Sequence, residues 1–215
     1  MIIKLNLKPK PKYYPAVLVS FAPKILIALL FFVLISYFYL DRAISLYFHN
    51  DNTSLETIAE KVSDFINPVF LLITLPILYF LNKLFWKNPK LYEPLKLLVF
   101  ALPFSFAVTK LCKLLLSRDR PHRLFADGTY GFQLLANGDF SFPSGHACVV
   151  GAIVGSLACF MPKYTWPLLF TGILISFSRV IVGDHFLSDI VAGTVLGSLM
   201  SQILYLIMKK QKFLF

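Results

Sequence analysis

Charge is what this sequence has least of. Only 15% of its 215 residues are charged and only 11 are acidic, whereas soluble domains carry roughly 25% charged residues. That shortage excludes an ordinary soluble domain and a charge-laced coiled coil. Glycine is scarce too, at 10 residues, which rules out a collagen-like repeat, and 3 cysteines are too few for a disulfide scaffold. Cys112, Cys148 and Cys159 all sit in apolar stretches. They are expected as free thiols and do not reveal the redox compartment. No zinc-ligand spacing, basic–aromatic reader or helix-turn-helix pattern occurs, so nothing points to nucleic acid as a partner.

What the chain has in excess is apolar surface. Hydrophobic residues make up 57%, 22 of them phenylalanine, and the mean hydropathy is +0.70. Disorder is excluded on that ground. The length suits one domain, residues 1–215, of six transmembrane helices at roughly 20 residues each. The predicted fold class is therefore an all-α integral membrane protein. Uncharged windows run from Ile25 to Leu40, Phe65 to Asn82, Leu97 to Thr109, Ala147 to Pro162, Tyr164 to Ser178 and Ile190 to Met208. Lys110 and Lys113 cut the third short and Arg179 closes the fifth, so both helices are expected to continue past these charges. Lys110 reads as a side chain snorkelling to the interface.

The loops predict orientation. With the N-terminus in the cytoplasm, the inner segments hold thirteen of the 21 basic residues and the outer segments five, with Lys110, Lys113 and Arg179 inside spans. That is a positive-inside pattern with both termini cytoplasmic. The first apolar run lacks a small-residue cleavage site and reads as an uncleaved helix, not a signal peptide. Asp41 to Asp64 reads as an outer loop holding an interfacial amphipathic helix, with Leu55, Ile58, Val62 and Phe65 at helical spacing. Gly151–Gly155 and Gly193–Gly197 are G-x-x-x-G pairs that permit close helix packing.

That topology gathers the polar residues of the second half on one face. Lys113 and Arg120 flank the start of one outer loop, Pro143-Ser144-Gly145-His146 precedes the fourth span, Ser178-Arg179 ends the fifth, and His185 and Asp189 straddle the start of the sixth. Three cations cannot share a pocket without an anion, and phosphate suits guanidinium forks and a lysine point charge. Ser144 is a natural N-cap, and Gly145 lets an anion approach backbone N–H groups at a helix start. His185 and Asp189, four apart, would share a helix face. A carboxylate on one imidazole nitrogen leaves the other as a directed nucleophile, and His146 would protonate the leaving oxygen. A competing reading has His146, Asp184, His185 and Asp189 bind a divalent metal, but three cations already supply the ion's electrostatic role. His49 and His122 read as structural.

These residues fall into three linked motifs. Lys113 to Pro121 (KLLLSRDRP) fits K-x6-R-P, Pro143 to His146 is PSGH, and Ser178 to Asp189 (SRVIVGDHFLSD) fits S-R-x5-H-x3-D. The chain thus resembles the type-2 phosphatidic acid phosphatase superfamily over roughly its C-terminal half. The resemblance implies a six-helix, metal-free and cofactor-free lipid phosphatase of the cell inner membrane, with its site on the periplasmic or outer face. It assigns phosphate binding to Lys113, Arg120, Arg179, Ser144 and Gly145. His185 would form a phosphohistidine, Asp189 would orient it, and His146 would act as acid and then as base for water. Vanadium haloperoxidases share the motifs but are soluble and larger, and glucose-6-phosphatase-like relatives have more spans. The expected partners are membrane lipids and a lipid phosphate or diphosphate of a bacterial envelope, such as phosphatidylglycerol phosphate, undecaprenyl diphosphate or a lipid A phosphate. A phosphotransferase using the same site and a non-catalytic phospholipid transporter are the alternatives. Arg118, His122 and Arg123 flank the first motif and read either as holding a second phosphate or sugar headgroup or as solvated loop charges.

Overall fold

The computed structural model describes residues 16–50, 54–136, 138, 140–211 and 213. Lys4, Lys8, Lys10, Lys12 and Lys212, which carry part of the predicted charge asymmetry, lie outside the described residues. After a turn of helix at Val17–Ser20, the chain forms α1 (Ala22–Asn50), α2 (Ser54–Phe65), α3 (Pro68–Trp86) and α4 (Pro89–Leu116). It continues as α5 (Pro121–Asp127), α6 (Gly145–Phe160), α7 (Pro162–Ile181) and α8 (Leu187–Lys210). Among the described residues there is no β-strand, only an isolated bridge between Arg118 and Phe132. Helices α1, α3, α4 from Lys90, α7 and α8 are long and apolar enough to cross a membrane. This is an all-helical, multi-pass membrane protein.

The sequence-predicted spans mostly reappear, with two differences. As expected, helix α4 continues past Lys110 and Lys113 to run 28 residues, and α7 continues past Arg179 to Ile181. Helix α6, expected over Ala147–Pro162, has 16 residues, about 24 Å at 1.5 Å per residue, so it is shorter than the other five. Helix α1 departs most from expectation. Asp41 was expected to open a loop, yet a π-helical turn at Ser36–Leu40 carries the helix on to Asn50. The reason is that Asp41 faces a buried arginine, Arg118, instead of solvent.

Start signals follow capping chemistry. Asn67 accepts from the Val69 N–H at 2.9 Å and Asn88 from the Lys90 N–H at 3.0 Å, each followed by proline at the first helical position. Ser144 caps α6 by accepting from the Ala147 N–H at 3.4 Å.

Helices α6 and α8 form the centre, with α4 and α7 against them and α3 against α4. Their two G-x-x-x-G pairs meet. A Cβ on Gly151 would lie 2.2 Å from the Thr194 carbonyl oxygen, and one on Gly197 would lie 2.0 Å from that of Cys148. Only glycine permits this approach, which fixes the register of the two helices that carry His146 and Asp189. Outside, α1 and α3 expose Leu26, Leu30, Phe31, Val69, Ile73 and Phe80, the apolar surface expected where lipid is the solvent.

Candidate active site

The loop after α4 folds back on itself. Ser117 closes α4 in a left-handed conformation (φ 42°). Asp119 N–H then donates to Gly131 O and Gln133 N–H to Ser117 O, both at 3.0 Å, while Ser141 N–H donates to Arg118 O at 2.8 Å. This pairing turns the Arg118 side chain inward and lays Phe140-Ser141 over the start of α8. Lys113, one turn before the end of α4, donates to the carbonyls of Phe140 and, at 3.3 Å, of Ser141.

The second wall is the turn between α7 and α8. The Arg179 carbonyl accepts from the N–H groups of both Asp184 and His185 at 3.1 Å, and Gly183 takes the positive φ of 79° that the reversal requires. Arg179 donates from one guanidinium nitrogen to Ser63 of α2 and from the other to Asp184. Arg120 donates to the Asp184 carbonyl at 3.2 Å. Arg179, Arg120 and Lys113 all act electrostatically on His146, as does His185. The sequence-predicted cations and both histidines therefore converge, beside the α6 N-terminus that holds Ser144 and Gly145.

His185 and Asp189 meet differently from the predicted helix face. His185 precedes α8, and Asp189 occupies its third position, where one carboxylate oxygen accepts from the Phe186 N–H at 2.8 Å and caps the helix. His185 Nδ1 lies 3.6 Å from that oxygen, Oδ2. Ser141 Oγ sits between them, 3.2 Å from Nδ1 and donating to Oδ2. A hydroxyl thus links imidazole and carboxylate. These acceptors favour a proton on Nδ1 and leave Nε2 with its lone pair. Burial, with Asp189 opposing and Lys113 and Arg120 assisting, lowers the His185 pKa from 6.5 to about 4. The imidazole is therefore neutral at pH 7 and able to attack an electrophile. Among the described residues, no three His, Cys, Asp or Glu side chains converge on a common metal position.

A family model described as the PAP2 superfamily matches residues 94–213, which hold this geometry apart from Ser63. The chain belongs to the PAP2 superfamily. It is 31% identical to a lipid A 1-phosphatase of Rhizobium johnstonii over 120 residues, covering 55% of this chain and 49% of that protein. It is 34% identical to an undecaprenyl-diphosphatase of Sulfolobus acidocaldarius over 105 residues, covering 48% and 50%. The chain matches about half the length of these curated relatives. The PAP2-type phosphatidylglycerolphosphate phosphatase of Bacillus subtilis has the same fold, with a TM-score of 0.59 at 24% identity, covering 86% of this chain and 96% of that one. LpxE of Aquifex aeolicus gives a TM-score of 0.57 at 22% identity, covering 80% and 98%.

Within this PAP2 chain, three flanking residues of the first motif have separate fates. Arg118 is fully buried, so it is neither a headgroup contact nor a solvated charge. It donates to Asp41 at 2.8 Å and Asp189 at 2.6 Å, and the rings of Tyr37, Tyr130, Phe132 and Phe186 surround it at 4.3–5.4 Å. Burial works against its charge, but Asp189 and Asp41 outweigh it and raise the pKa above that of a free arginine. Arg123 is half-exposed on α5 and pairs with Asp119 at 3.2 Å, a solvated charge. His122 lines a polar pocket of about 510 Å³ with His49, Glu56, Phe125 and Asp184. His49 stacks on Phe125 with ring centroids 3.8 Å apart. Sequence reasoning missed Ser141, Ser188 and Asp41. None occupies a specified motif position, and an aspartate beside the first apolar run was the one available signal.

Proposed function

We propose that this protein is a metal-independent lipid phosphatase that works through a phosphohistidine on His185. The observation that carries the reading is the buried His185, linked at Nδ1 through Ser141 to Asp189 beside three converging cations. In the first step the His185 Nε2–phosphorus bond forms and the bond from phosphorus to the lipid oxygen breaks, with His146 giving that oxygen its proton. In the second step His146 takes a proton from water, the hydroxide attacks phosphorus, and the nitrogen–phosphorus bond breaks to release inorganic phosphate. Lys113, Arg120 and Arg179 hold the phosphoryl oxygens. The buried Arg179 Nε makes no hydrogen bond among the described residues and is a further donor for them. Ser144 and Gly145 present the α6 N-terminus to the same anion. A Cβ on Gly145 would meet nothing within 4 Å, so packing does not demand glycine there, whereas close approach of an anion does.

The substrate is an envelope lipid phosphate or diphosphate, in keeping with the names of the relatives. An apolar groove of about 320 Å³, lined by Leu55, Ile58, Val62, Leu174, Ile175 and Ile181, takes part of an acyl or prenyl chain. The polar pocket around His122 takes the headgroup. In this reading the chain has six spans, counting α6, which puts both termini on one side; the excess of basic residues there supports a cytoplasmic assignment, with the site at the outer face of the cell inner membrane and α2 in the interface. Phosphate release by purified, detergent-solubilised protein from a panel of envelope lipid phosphates, with and without EDTA, tests the reading. Release unaffected by EDTA supports it, while binding without release would make the protein a transporter.

A further inference from the structure

Asp41 lies in the first span, outside residues 94–213 that the family model matches and outside all three motifs. Even so, it is 1% exposed and fully engaged. Oδ1 accepts from Ser36 Oγ at 2.6 Å and the Ser188 N–H at 2.9 Å, and Oδ2 accepts from Arg118 at 2.8 Å and from Ser188 Oγ. Arg118 donates from its other nitrogen to Ser188 Oγ at 2.7 Å and Asp189 Oδ1 at 2.6 Å. A continuous buried chain therefore runs from Asp41 through Arg118 to Asp189, then through Ser141 to His185.

The charge count of this chain explains why a second carboxylate is there. Asp189 alone cannot serve His185 well, because Arg118 cancels its charge. Phosphoryl transfer turns a neutral imidazole into a cationic phosphoimidazole, and that new charge is buried. With Asp41 present, two carboxylates face one guanidinium, and the cluster keeps one net negative charge for the imidazole. The guanidinium cannot leave, since four aromatic rings enclose it. We infer that Asp41 is a positioning residue for the phosphatase reaction, which acts through Arg118 and Ser188 to hold Asp189 in place and keep its charge available to His185. The inference rests on the reading of His185 as nucleophile.

The experiment uses the full chain in detergent, with p-nitrophenyl phosphate as substrate and inorganic phosphate as competing ligand. Asp41→Asn keeps the shape and removes the charge. Its kcat should fall about 10- to 100-fold, the range in which outer-shell partners of an oriented histidine act, while KM and the inhibition constant of phosphate stay within about twofold. In an Asp189→Asn background the same substitution should add nothing, because its route to His185 is already broken. A kcat within about twofold of wild type overturns the inference. So does a loss that multiplies with Asp189→Asn, or one that moves kcat, KM and phosphate inhibition together with a lowered unfolding temperature. Asp41→Asn with Arg118→Met removes both charges and leaves Asp189 uncancelled. Its kcat should exceed that of Asp41→Asn or, where the single variant does not fold, lie within about tenfold of wild type; a lower value overturns the inference. His185→Ala separates the two levels. Turnover surviving in that variant removes the nucleophile reading itself, whereas an essential His185 with an indifferent Asp41 removes the inference alone.

Discussion

Ser141 Oγ stands 3.2 Å from His185 Nδ1 and donates to Asp189, so the imidazole reaches its carboxylate through a hydroxyl. Ser141→Ala removes that link and leaves a 3.6 Å separation between Nδ1 and Oδ2, too long for a good hydrogen bond. We expect kcat to fall on the order of tenfold with KM unchanged, less than the loss in Asp189→Asn, since the carboxylate charge remains. Steady-state kinetics of both variants check this. Equal losses would mean that the hydroxyl, not the carboxylate, sets the imidazole.

His185 also predicts a pH dependence. Its folded pKa, lowered to about 4, lies below the ordinary value near 6.5. Between those values the unfolded state binds the extra proton, so stability rises with pH across this window and is lost as pH falls from 6.5 towards 4. As the proposed nucleophile, His185 stays neutral down to the same lower limit. The acid limb of kcat/KM assigned to His185 should therefore fall near pH 4 to 5, well below that of a free imidazole. Unfolding midpoints of wild type and His185→Asn between pH 4 and 7 check the linkage: the variant should have the shallower slope.

Two glycines separate packing from binding. A Cβ on Gly197 collides with the Cys148 carbonyl at 2.0 Å, whereas one on Gly145 meets nothing within 4 Å. Gly197→Ala should cost about 1–3 kcal/mol or more through helix separation, visible as a lowered Tm in detergent. Gly145→Ala should keep the wild-type Tm and lose affinity for phosphate. A drop in Tm for Gly145→Ala of the same size would make it a packing glycine.

These contrasts mark what the sequence made legible. Hydrophobic windows located the spanning helices because lipid exposure leaves a long one-dimensional record, and the convergence of the cations and histidines was legible because they fall in three linked motifs at the ends of those helices. The spacing of His185 and Asp189 was read as a helix face, but the chain reverses at Gly183 and delivers His185 from the loop. Arg118 was misread for a related reason. Its burial depends on pairing between residues 117–119 and 131–133 and on a partner 77 positions earlier, neither of which leaves a local pattern. Asp41 interrupted an apolar run and so looked like a helix end, when a distant guanidinium had removed the cost of burying it.

Sidedness is open to direct chemistry. Thr129 is exposed in the loop between α5 and α6, where it bonds to Asp127. A cysteine placed there, in a background lacking Cys112, Cys148 and Cys159, should react with an impermeant thiol reagent in intact spheroplasts. Labelling that requires membrane disruption would put the 117–144 loop, and the site with it, in the cytoplasm.

The two histidines should separate by leaving group. His185→Ala should abolish turnover of every substrate, because no phosphoenzyme can form. His146 matters in proportion to how poorly the leaving group departs. A lipid alkoxide must be protonated as it leaves, and losing a positioned acid costs on the order of 10²–10⁴ in rate. A nitrophenolate, or the phosphate end of a diphosphate, leaves as a stabilised anion and needs less help. His146→Ala should therefore damage lipid monoester hydrolysis far more than nitrophenyl phosphate or diphosphate hydrolysis, as kcat/KM for the three substrates will register. Equal losses would remove His146 as the acid of the first step. Its remaining role would be to activate water against the phosphohistidine, and a ³²P-labelled enzyme should then accumulate in the variant, stable to base and labile to acid as a nitrogen–phosphorus bond requires.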